Sequence, residues 1–142
     1  MDAYISEKYV ESSAGRLDTY KQIAEIKTVA DYKRVYESLE ETYGYVPQAV
    51  LNLLVISVLK SYASKFSVKK ITVKKGVGAL EFSSLAALGD KRVQAALDKY
   101  SSAVRLNMTE APVVEFARAK TNTDLMAGMT NFLKFALTFT RL

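Results

Sequence analysis

The run from Pro47 to Leu59, PQAVLNLLVISVL, constrains this chain more than any other stretch. It follows Tyr43-Gly44-Tyr45-Val46. The glycine suits the left-handed residue just past a helix end, and the proline suits the first turn of the next helix. Val50, Leu51, Leu53, Leu54, Val55, Ile56, Val58, Leu59 and Tyr62 then occupy nearly the whole circumference of that helix. A helix apolar all round must be covered on most sides. A membrane span needs roughly 20 apolar residues. Here Asn52 and Ser57 interrupt the run and Lys60 closes it, so it reads as a central core helix with no membrane partner.

The chain has 142 residues, enough for one hydrophobic core. A single domain is expected. An extended segment and helices would fill residues 1–45, the central apolar helix 46–66, and a ββαββα part 67–142. No positively charged start followed by an apolar core marks a signal peptide. The sequence contains neither cysteine nor histidine. Disulfides, thiolate or imidazole metal sites and Ser-His or Cys-His catalysis are thereby excluded, and a cytoplasmic location fits the missing cysteines.

The period of apolar residues sets the remaining elements. Residues 2–13 read as extended, with Tyr4, Ile5, Tyr9 and Val10 as anchors. A helix from Arg16 would bury Leu17, Tyr20, Ile23 and Ala24. A second from about Val29 repeats Tyr32, Val35, Tyr36, Leu39 and Tyr43, with Lys33, Arg34, Glu37, Glu40 and Glu41 pointing elsewhere, and Gly44 ends it. After Phe66 the period becomes 2. Ile71 and Val73 alternate with Lys70, Thr72 and Lys74; Leu80 and Phe82 flank Glu81; Lys-Lys-Gly-Val-Gly turns between them. A helix through Val93, Ala96, Leu97 and Tyr100 follows.

The pattern then recurs. Val104, Leu106 and Met108 alternate with Arg105 and Asn107, Val114 and Phe116 flank Glu115, and Asn122 or Thr123 caps a last helix. Leu80-Glu81-Phe82 and Val114-Glu115-Phe116 lie 34 residues apart. The fold class is therefore α+β: N-terminal helices, then two β-hairpin–helix units forming a four-stranded antiparallel sheet packed with helices.

Chemistry is sparse. Gly76-Val77-Gly78 lacks the third glycine of a dinucleotide fingerprint and the Gly-Lys-Ser/Thr of a P-loop, and it lies between strands. Adjacent Glu40 and Glu41 point about 100° apart on a helix and do not converge on one atom. Ser83-Ser84 has no base to activate it, and Ser84 reads as a helix cap. No catalytic residue, cofactor or metal ligand is assigned, so a binding or regulatory domain is expected. Residues 1–45 carry nine acidic and six basic side chains, a net of −3, whereas 46–142 carry six and fourteen, a net of +8. Six lysines between Lys60 and Lys75 make nucleic-acid binding the alternative, against a merely solvated basic stretch.

Asp2-Ala3-Tyr4-Ile5, Tyr9-Val10, Arg16-Leu17-Asp18-Thr19-Tyr20-Lys21-Gln22-Ile23-Ala24, Tyr43-Gly44-Tyr45-Val46-Pro47 and the apolar helix stand in a familiar order. Lys69-Lys70-Ile71, Leu80-Glu81-Phe82, Val104-Arg105-Leu106 and Val114-Glu115-Phe116 continue it. Together, from Asp2 to about Leu137, they resemble the C-terminal domain of bacterial transcription-repair coupling factors. The resemblance implies a parent that is an ATP-dependent DNA translocase, displacing stalled RNA polymerase and recruiting nucleotide excision repair. It implies that this part is not the motor. Instead it would pack on a UvrB-like module of the same protein, mask the surface that binds UvrA, and hold the parent repressed until polymerase and DNA are engaged. The family's acidic-Arg-aromatic-Gly run reads here Glu41-Thr42-Tyr43-Gly44, with threonine in place of the arginine. Glu41, with its neighbours Glu37 and Glu40, is then the candidate interdomain contact.

Overall fold

The computed structural model describes residues 3–117 and 119–139; Asp2, where the resemblance begins, lies outside them. The chain divides into two compact units, Met1–Ser61 and Tyr62–Leu142, so that the boundary falls inside one helix.

In the first unit, a turn in the N-terminal segment is closed by the Tyr9 and Val10 N–H groups donating to Ser6 O. Helix α1 (Ser13–Ala24) begins three residues ahead of Arg16 because Ser12 caps it, its hydroxyl accepting from Gly15 N. The buried face of α1 is also not the expected one. Thr19 and Ile23 are buried, while Leu17 is 57% and Tyr20 38% exposed and Ala24 is open to solvent. Thr19 tolerates burial because its hydroxyl donates to Gly15 O, one turn back. Tyr20 turns outward and accepts the Ile5 N–H at 2.9 Å. Arg16 fixes the segment from the other side, donating to both Val10 O and Glu11 O at 2.9 Å.

Helix α2 (Val29–Tyr43) starts at a capping box between Thr28 and Asp31 and ends at Gly44, whose φ of 84° is the left-handed conformation anticipated for it. Helix α3 (Gln48–Ser64) follows. Pro47 sits one residue ahead of it, its carbonyl accepting from Val50 N and Leu51 N. From Ala49 to Leu59 no side chain is exposed, and Val50, Leu54, Val58 and Leu59 are buried.

The second unit holds the sheet. Strands β1 (Val68–Lys74) and β2 (Val77–Phe82) form a hairpin whose two turn residues, Lys75 and Gly76, both have positive φ. That mirror-image turn suits the strand twist. Short α4 (Leu85–Leu88), capped by Ser84 as anticipated, and α5 (Lys91–Lys99) lead to β3 (Val104–Asn107), β4 (Val113–Phe116) and α6 (Asn122–Thr138). The cap of α6 is Thr121 rather than Asn122 or Thr123.

The four strands make one antiparallel sheet in the order β1-β2-β4-β3. The two repeats thus meet in the middle, Leu80 opposite Val114 and Gly78 opposite Phe116. Each central glutamate is bridged to its outer strand, Glu81 by Lys69 at 3.2 Å and Glu115 by Arg105 at 2.7 Å. Helix α6 packs on β1, β2 and β4, and α5 packs on α6. A Cβ on Gly78 would lie 2.7 Å from Met129 Sδ, so a glycine is what lets α6 approach β2. Leu80, Phe82, Val93, Val114, Met126, Met129, Phe132 and Leu133 are all below 2% exposed. Phe132 meets Phe116 edge-on, with centroids 5.3 Å apart.

Strand β1 contains a bulge that simple alternation does not anticipate. Val68 pairs with Phe82 but Lys70 pairs with Glu81, leaving Lys69 as the extra residue. Val68 and Ile71, three apart, thereby both share the side of Phe82 and Leu80, while Lys69 and Lys70 stay exposed.

Candidate interdomain surface on the second helix

Glu37, Glu40 and Glu41 lie at spacing i, i+3, i+4 and so share one stripe of α2. All three are exposed; Glu37 and Glu41 lie away from buried Leu39 and half-buried Tyr32 and Val35, and Glu40 borders the half-buried Tyr36 and Tyr43. The charges along this helix are arranged unevenly. At its start, Asp31 suits the positive end of the helix dipole. Its carboxylate accepts from Lys27 N at 3.0 Å and pairs with Arg34, and these contacts, the Lys27 amide foremost, hold its carboxyl below the usual carboxylate range.

At the other end the pattern inverts. The last turn of α2 carries no basic residue, and none of the three glutamates has an ion-pair partner among the described residues. Glu40 and Glu41, in the last turn, face the negative end of the dipole, at a cost toward the lower end of about 0.3–1 kcal/mol each. Glu37 and Glu41 add a like-charge i, i+4 pair. Thr42, the next residue, is uncharged. Lys33 and Arg34 stand four and three residues before Glu37, so the unfavourable charge is concentrated in Glu40 and Glu41 at the end of the helix.

Beneath the end of α2 lies a group of tyrosines. Tyr9 is 5% exposed, donates its hydroxyl to Tyr45 O at 2.7 Å, and meets the rings of Tyr43 and Tyr45 at 4.7 and 5.3 Å. Burial, with the neighbouring phenols of Tyr43, Tyr45 and Tyr36, pushes the Tyr9 phenol up to about 12. The group ties the N-terminal segment to the Gly44 turn, and so fixes where the acidic end of α2 stands. Its signal was in the sequence as a high tyrosine content, but the partners are too distant along the chain for periodicity to pair them.

The lysines of the basic stretch are distributed over several elements. Lys60 is on α3, Lys65 follows α3, Lys69, Lys70 and Lys74 are on β1, and Lys75 is in the hairpin turn; all are exposed. Tyr62 and Phe66 are 6% and 3% exposed, core residues rather than stacking surfaces. Two depressions of about 350 and 150 Å³ in the second unit share Ala103, Val104, Phe116 and Ala117 in their walls. Among the described residues no group of three or more carboxylates is placed to hold a metal ion, and no helix is long and apolar enough to cross a membrane.

A helical unit joined to a four-stranded sheet unit, with its most distinctive polar feature on a helix surface rather than in a cleft, defines a small α+β protein. Residues 1–92 match the TRCF domain family. The transcription-repair-coupling factor of Borreliella burgdorferi is 23% identical over 104 residues, 73% of this chain and 9% of the relative. That of Bacillus subtilis is 26% identical over 87 residues, 61% of this chain and 7% of the relative. The crystal structure of a C-terminal domain of transcription-repair coupling factor shares the fold, with a TM-score of 0.77 and 23% identity, over 96% of this chain and 88% of that one. The chain belongs to the TRCF domain family. It spans less than a tenth of the length of the curated relatives it matches.

Proposed function

We propose that this chain is the autoinhibitory C-terminal domain of a cytoplasmic ATP-dependent DNA translocase of transcription-coupled repair. In this reading the domain itself catalyses nothing. It packs on a UvrB-like module of its own parent and covers the surface that binds UvrA, and RNA polymerase and DNA reach it only through the parent. One observation carries the reading: Glu40 and Glu41, with Glu37 one turn behind them, are exposed toward the negative end of α2, and none has an ion-pair partner among the described residues. A basic surface on the partner module would offset both the dipole and the mutual repulsion.

The contact suits a releasable latch. Interfaces between domains of one chain are modest and polar, and rim charges contribute roughly 0–1 kcal/mol each. Three together hold a repressed state that differential binding of polymerase and DNA can overturn. The test is UvrA capture by the full-length parent carrying Glu37→Lys, Glu40→Lys and Glu41→Lys. Capture by the variant is expected to rise toward that of a parent lacking this domain. UvrA capture unchanged in both proteins would refute the masking role.

A further inference from the structure

The two edges of the sheet are treated differently. Edge β1 carries the usual devices against strand addition: a bulge at Lys69 and exposed Lys69, Lys70 and Lys74. Edge β3 pairs with β4 in unbroken register and carries a single charge, Arg105, which Glu115 already holds at 2.7 Å. Its apolar side chains are uncovered, Leu106 at 50% and the following Met108 at 46% exposure. Helix α6 packs on the other three strands.

The hydrogen bond from Ala117 N to Ala103 O makes Ala103 a residue bonded toward β4. By antiparallel alternation Arg105 and Asn107 are bonded the same way, so the N–H and C=O of Leu106 point to the open edge. The Val104 N–H is taken by Tyr100 O at 3.1 Å. Leu106 is therefore the centre of the available edge.

We propose that the β3 edge binds a second copy of this chain, strand to strand, about a two-fold axis through Leu106. The sequence Val-Arg-Leu-Asn-Met, residues 104–108, is self-complementary in that register. Leu106 faces its own copy, Val104 faces Met108 of the copy, and Arg105 faces Asn107 of the copy. Apolar residues meet on the side of Phe116 and Val114, and a cation meets an amide on the other. A symmetric register centred on Arg105 would oppose two cations, which cross-strand pairing disfavours. The two Leu106 residues would exchange both backbone hydrogen bonds, and the pair of four-stranded sheets would become one. Closure is isologous, so association stops at the dimer. A four-residue strand makes this contact weak and reversible. The net charge of +5 per chain opposes it, and added salt strengthens it by screening that repulsion.

The absence of cysteine makes the test direct. Hydrogen-bonded partners in an antiparallel pair have Cα atoms about 5.5 Å apart, within disulfide reach. On mild oxidation of the 142-residue chain, Leu106→Cys is expected to form covalent dimer faster than Lys70→Cys, by at least about tenfold, or about 1.4 kcal/mol of preorganisation. Sedimentation of the unmodified chain should show dimer growing with protein and salt concentration, and Leu106→Lys should abolish it while the helical circular dichroism is retained. Three results would each overturn the proposal: equal cross-linking at positions 70 and 106, a chain monomeric at every concentration, or a dimer that dissolves in salt. The second would assign the edge to a different strand, and the third would make the contact ionic.

Discussion

The two compact units of this chain are held together by different means. The sheet unit is stabilised by a dry core in which Phe82, Leu80, Val93, Val114, Met129, Phe132 and Leu133 have almost no exposure. The helical unit also buries apolar residues, Ile5, Tyr9, Val10, Ile23, Ile26 and Leu39 among them, but its N-terminal segment is located by polar contacts to backbone. Arg16 clamps two carbonyls, Tyr9 donates to a third, and Tyr20 accepts an amide hydrogen. Apolar burial is non-directional and sets how much stability there is. Hydrogen bonds contribute less net stability each but specify position. The sheet unit therefore resists perturbation as a packed body, and the N-terminal segment of the helical unit depends on a few directional anchors.

The largest effect that would break this contrast lies in the sheet unit. Phe132→Ala, at a fully buried position against Phe116, is expected to cost about 3–5 kcal/mol. Urea unfolding of the chain measures it, and a loss near that of a surface change, about 0.5 kcal/mol, would mean the core is not the source of stability. The next effect is an anchor. Tyr9→Phe keeps the ring and loses the bond to Tyr45 O, at a cost of about 1 kcal/mol.

That substitution also has a pH signature. The folded chain holds the Tyr9 proton more tightly than the unfolded chain, with a pKa of about 12 against an ordinary 10.0. The folded form thus keeps a proton that the unfolded form releases. This stabilisation is complete below pH 10 and is lost as pH rises through 12. Thermal melts across that range should fall more steeply for the unsubstituted chain than for Tyr9→Phe, and equal slopes would place the titration elsewhere.

The smallest effect sharpens the reading of α2. Replacing Glu37, Glu40 and Glu41 together by glutamine is expected to raise stability slightly, by up to about 1 kcal/mol, because it removes charge from the negative end of the helix. A melt that instead drops would show that the carboxylates are satisfied within the chain.

Much of the architecture was legible because local chemistry and tertiary packing agree. Gly44 takes the left-handed cap its position calls for, Ser84 caps α4, and the switch from a period of 3.6 to 2 after Phe66 marks the sheet. The acidic stripe was also legible, since a 3.6-residue repeat puts positions 37, 40 and 41 on one side. What periodicity misread is equally particular. The covered face of α1 is rotated past Ile23, away from the apolar arc, so Leu17 and Tyr20 are exposed while Thr19 is buried. The pairing of Tyr9 with Tyr45 spans 36 residues, beyond any local pattern.

By itself, the sequence determined the order of helices and strands, the Gly44 and Ser84 caps and the first hairpin turn, and that a four-stranded antiparallel sheet follows a helical half. These depend on backbone sterics and on apolar spacing over a few residues. Only the tertiary structure decided that β2 and β4 lie at the centre, that β1 bulges at Lys69 while β3 does not, and that no ion pair among the described residues engages the glutamates of α2. Strand order, register slips and charge balance arise from contacts between residues far apart along the chain, and no local period encodes them.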